Sequence, residues 1–127
     1  MSASKFIASL SLGAALAAGP ALAQPPAPSQ CFLVRNINSF IAPNDRTVYV
    51  RVGVKDFYRL DLMHDCVGIT FGNSLALESS PGRSWICSPL EATVINHKTG
   101  MNQRCPVSAI HKLTPEEAAA LPKRDRP

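Results

Sequence analysis

Between Thr47 and Leu62 the side chains alternate with a period of two, and no other feature restricts the possible fold as much. In TVYVRVG, Val48, Val50 and Val52 fall on one face, and Thr47, Tyr49 and Arg51 on the other. In FYRLDL, Tyr58, Leu60 and Leu62 share a face opposite Arg59 and Asp61. Successive side chains of a strand point to opposite sides, so each run predicts a half-buried strand. Asn44-Asp45 before the first run and Val54-Lys55-Asp56 between the two suit turns. If both apolar faces share one core, paired positions must have the same parity. Pairing Val50 with Leu62 meets that condition and sets Arg51 opposite Asp61. Pairing Val50 with Leu60 also meets it but sets Arg51 opposite Arg59. Opposite charges favour the first by a few tenths of a kcal/mol, roughly.

Weaker patterns extend the same reading. Cys31 to Phe40 suits a strand, Ile69 to Glu78 holds another, and Ser80-Pro81-Gly82 is a turn before the short strand Ser84 to Cys87. Leu90 to His97, Lys98-Thr99-Gly100 and Cys105 to Leu113 form a last hairpin. One helix is predicted. Thr114 stands at its N-cap, Pro115 in the first turn and Glu117 three residues after the cap, continuing to Leu121 before Pro122 stops it. The expected fold is all-β, five to seven antiparallel strands in a small barrel or two-layer sheet, with one short C-terminal helix.

The N-terminus predicts export. Lys5 precedes the uncharged, mostly apolar stretch Phe6 to Ala18, and Ala21-Leu22-Ala23 has the small-x-small pattern of a signal-peptidase site. That stretch is too short to span a bilayer, which needs about 20 apolar residues. The expected organisation is a cleaved leader at 1–23 and a Pro-rich tether at 24–30 (QPPAPSQ). A domain at 31–121 and an unstructured basic tail at 122–127 follow. Without Lys5, 12 basic residues face 9 acidic ones, a net charge of +3. The cations are scattered rather than set in a stripe with aromatics, which argues against nucleic acid as partner. No later segment approaches membrane-spanning length, so no integral membrane segment is expected after cleavage. The Ala-rich leader points to a bacterial periplasm or the secreted fraction.

All four cysteines, Cys31, Cys66, Cys87 and Cys105, follow the leader. An even count in a small exported chain predicts two disulfides, and no CxxC pair suggests zinc or redox exchange. Four cysteines allow three pairings, among which sequence does not choose. The expected one is Cys66–Cys87, closing the Gly- and Ser-rich middle segment, with Cys31–Cys105 tying first strand to last. A domain this small buries only about 60–65% of its unfolded surface, so each crosslink matters.

His64-Asp65-Cys66 has the residue types of a thiol enzyme or a metal site. An oxidising compartment makes Cys66 half of a disulfide instead. His64, His97 and His111 show no HxH or HExxH spacing, so no metal or other cofactor is expected. A GxSxG elbow, paired carboxylates and a phosphate-binding Gly-rich loop are all missing from the sequence, and no catalytic residue is assigned. Trp85, the only tryptophan, reads most simply as core beside Cys87. Its second reading is an interface anchor.

The order CFLVRNINSF, TVYVRVGVKDFYRLDLMHDC, WIC and RCPVSAIHKLTPEE resembles the bacterial proteins of the domain of unknown function 6491 family, over roughly Cys31 to Glu117. The resemblance implies a small exported protein and carries no activity, cofactor or site residue with it. The expected role is a non-enzymatic β-domain that binds an envelope or secreted protein, such as a hydrolase to be inhibited. The competing role is a metal-binding or thiol-dependent enzyme centred on His64, Asp65 and Cys66.

Overall fold

The alternating hairpin forms as expected, in a register tighter than either expectation: Val50 meets Tyr58 rather than Leu60 or Leu62. In the computed structural model, which describes residues 19, 30–71, 75–98, 100 and 102–127, β3 (Thr47–Val52) pairs antiparallel with β4 (Asp56–Leu62). Val48 faces Leu60 and Val50 faces Tyr58, so parity holds while Arg51 meets Phe57 instead of Asp61. The cause is Gly53. Its φ of 62° places it in the left-handed region that glycine adopts without cost, so it opens the turn rather than ending the strand. Asp61 then pairs along its own strand, with Arg59 Nε 3.3 Å from Asp61 Oδ1. Apart from Gly19 and Gln30, the expected leader and linker lie outside the described residues.

Six strands make one curled antiparallel half-barrel. Its order is β2 (Ile37–Asn44), β3, β4, β8 (Gln103–Lys112), β7 (Ala92–Asn96) and β5 (Leu75–Ser79). The last hairpin is the expected one, with Asn96 opposite Gln103. A second, two-stranded ladder joins β1 (Phe32–Leu33) to β6 (Trp85–Ile86). The segment expected as one strand from Cys31 is therefore split by a 3-10 turn at Val34–Asn36. Outer strand β2 carries Pro43 and two register irregularities, features that discourage a further strand from adding to it.

The core lies inside the curl. Val48, Val50, Leu60, Val94, Val107 and Ile86 have no exposed surface. Phe32 closes one side, its ring centroid 4.6 Å from that of Tyr58. Burial pushes the Tyr58 hydroxyl above its ordinary pKa, against the opposing pull of Lys112.

The disulfides pair differently from the expectation: Cys31 bonds Cys87, and Cys66 bonds Cys105. Strand adjacency is the reason. Cys31 and Cys87 stand directly opposite one another, one position beyond the Phe32–Ile86 pair. Cys66 follows β4, whose neighbour is β8: Leu62 faces Val107, and Met63 N–H donates to the Pro106 carbonyl at 2.9 Å. The chain past β4 therefore arrives at Cys105. The first strand does not neighbour the last, so a Cys31–Cys105 bond has no place in this topology.

Helix α1 spans Pro115–Ala120 behind Thr114, whose Oγ1 accepts the Glu117 N–H at 3.2 Å. The Glu117 carboxylate reaches His111 Nε2, 2.9 Å away. The tail, expected to be unstructured, instead makes a 3-10 turn at Lys123–Asp125. Arg126 holds it by donating to the Leu121 and Ala119 carbonyls at 2.9 and 2.6 Å, satisfying oxygens that a helix end leaves open.

Candidate functional site

The HDC triplet is where β4 ends. Cys66 is fully buried in its disulfide, so its sulfur is not available as a nucleophile. His64 and Asp65 point to solvent: the His64 ring lies 3.3 Å from the Asp65 carbonyl, and Asp65 forms an exposed ion pair with Arg46 at 3.6 Å. The other histidines have separate local partners. His97 Nδ1 is 2.7 Å from Asn102 Oδ1, and His111 binds Glu117. Among the described residues no three His, Cys, Asp or Glu side chains come together as a metal site.

The chemistry-bearing surface with the most structure around it is at β6. A strand's pleat alternates its faces, so with Ile86 and Phe32 turned into the core, Trp85 and Leu33 must turn out. Trp85 is 52% exposed, which corrects the expectation that it packs in the core. Its backbone is nevertheless held against β1 and at both ends of that ladder. The Cys31–Cys87 bond closes the ladder at one end, and Val34 N–H extends it at the other by donating to the Ser84 carbonyl at 3.1 Å. The Ser80–Arg83 turn follows the expected Pro81-Gly82 signal, with Gly82 at φ 78° and Arg83 N–H donating to Ser80.

Glu91 is the hub of this surface, and the sequence reading assigned it no role. Its Oε2 accepts the Cys87 and Ser88 N–H groups at 2.8 and 3.1 Å, while Oε1 takes the Arg83 guanidinium at 2.8 Å. The signal was present. Ser88-Pro89-Leu90-Glu91 repeats the pattern of Thr114-Pro115-Glu116-Glu117, and like it starts a helical turn, here the 3-10 turn Pro89–Glu91. Leu33, Arg35, Arg83, Trp85 and Glu91 border an open cavity of about 490 Å³. The result is a solvent-facing indole and two arginines on a crosslinked base.

The two backbone donors, with Arg83 adding to them, hold the Glu91 carboxyl below its usual pKa of 4.5. A carboxyl depressed in the folded state contributes stability above its unfolded pKa, and that contribution is lost as pH falls through the lower folded value. Trp85 emission is therefore expected to change in a step whose midpoint lies below the usual 4.5. Glu91→Gln is expected to show the acid-form spectrum already at pH 7. A pH titration of the single tryptophan checks both, and an unchanged step in the variant would remove Glu91 as its source.

Two disulfides are the cysteine usage of chains that fold in an oxidising compartment. Among the described residues no helix is long and apolar enough to cross a membrane. No curated protein and no solved structure matches this chain. One family model does, over residues 2–127 and so over nearly the whole length, and the chain therefore belongs to the family of unknown function DUF6491.

Proposed function

We propose that this protein is an exported, periplasmic or secreted, non-enzymatic binding domain whose contact surface centres on Trp85. One observation carries the reading: a tryptophan 52% exposed on a ladder whose backbone is fixed by a disulfide and the Glu91 hydrogen bonds. Binding costs ordering entropy, and an aromatic presented on a rigid base loses little of it. Tryptophan and arginine are the residues that most often dominate interface energies, and Arg35 and Arg83 flank this one. The partner class is an envelope or secreted protein. The absence of a catalytic motif in the sequence, together with Cys66 held in a disulfide, favours binding over chemistry.

The test is chemical crosslinking of the purified protein in an envelope extract, repeated with Trp85→Ala. An adduct that the variant loses is expected, with affinity for the isolated partner reduced about thirtyfold, as for a hot-spot residue of about 2 kcal/mol. Adducts that form equally with both proteins would sink the proposal.

A further inference from the structure

A second concave surface lies between the β3–β4 turn and α1, and neither the Trp85 surface nor the disulfides use it. Its volume is about 720 Å³, inside the range of roughly 300–1,000 Å³ usual for small-molecule sites. Val54, Phe57, Leu113 and Ala118 make its lining largely apolar. Val54 is 85% exposed at the turn, the most exposed large apolar side chain among the described residues. The charge is one-sided. Lys55, Lys112 and Arg126 border the groove against a single carboxylate, Asp56, which is already paired with Lys112 at 3.3 Å. Lys55 is exposed and has no carboxylate partner among the described residues.

The backbone of the groove narrows the ligand further. Leu113 N–H donates to the Phe57 carbonyl, Ala118 N–H to the Thr114 carbonyl, and Arg126 occupies the Ala119 and Leu121 carbonyls. These spent groups leave no ladder for a peptide to pair with. Apolar contact and surplus positive charge remain. We propose that this groove binds an amphipathic anion, an aliphatic chain ending in a carboxylate, with the chain against Val54, Phe57 and Ala118 and the carboxylate towards Lys55 and Arg126.

Calorimetric titration of the disulfide-intact protein with dodecanoate, kept below its micelle concentration, tests the assignment, with dodecylammonium as the opposite-charge control. Saturable one-to-one binding of dodecanoate is expected, at least about tenfold tighter than that of the ammonium. Val54→Asp, at an exposed turn position where folding is not at stake, is expected to weaken it about tenfold, and Lys55→Glu about fivefold. Equal binding of the two amphiphiles, or no binding of either, overturns the assignment. So does an affinity that both variants leave unchanged. Binding that falls as protein concentration rises also overturns it, because a second copy of the chain then fills the groove.

Discussion

Replacing Cys66 and Cys105 together by alanine is expected to lower the unfolding free energy by about 4 kcal/mol or more. The bond joins positions 39 residues apart, and the loop-entropy expression gives roughly 4 kcal/mol at 25 °C for a crosslink of that span. Both cysteines are fully buried, so the lost sulfur contacts add to the entropic term. A domain of this size is stable by only about 5–15 kcal/mol, so the loss is a large share of the whole. The Cys31–Cys87 bond spans 56 residues, which raises its entropic term by only about 0.3 kcal/mol. Its cysteines are partly exposed, and one or two kcal/mol of packing, roughly, is absent there. Burial therefore outweighs span, and the Cys66–Cys105 pair should be the costlier one to remove. Urea denaturation of the two double variants under non-reducing conditions decides the order. A loss below about 1 kcal/mol for the buried pair contradicts this account.

Leu60→Ala is expected to cost about 2–5 kcal/mol. Leu60 has no exposed surface and sits between Val48 and Ile110 on the neighbouring strands. It lies mid-strand in β4, an interior strand of the sheet, so the cavity has little freedom to collapse. At about 4–8 °C per kcal/mol for a domain near this size, the melting temperature should fall by about 8 °C or more. Val54→Ala, which removes a side chain 85% exposed, should stay within about 0.5 kcal/mol of the parent. Thermal melts followed by far-ultraviolet circular dichroism separate the two. Similar melting temperatures for both variants would show that Leu60 is not in the core.

The core strands, the helix start and one turn are legible along the chain because their causes are local. The alternation of Val48, Val50, Val52, Tyr58, Leu60 and Leu62 identified six residues that are all buried. Thr114-Pro115 marked the start of α1, and Ser80-Pro81-Gly82 marked the turn before β6. The candidate site was less legible. Trp85 was singled out, but its direction depends on which face of a two-residue strand meets Phe32 and Tyr58, and two residues are too few for a periodicity. Glu91 was passed over although its Ser-Pro-x-Glu pattern is the same local signal that was used at Thr114.

By itself the sequence determined the all-β class, the identity of most core strands, the short capped helix and the presence of two crosslinks. Each of these follows from interactions between residues close together in the chain or from a count of thiols. Only the tertiary structure decided the cysteine partners and the exposure of Trp85. Those depend on β4 lying beside β8 and β1 beside β6, contacts between segments about 40 or more residues apart that leave no periodic trace. The hairpin register is the closest case: parity was set by the alternating side chains, but the final step was taken by Gly53, which could serve either as the end of a strand or as the start of a turn.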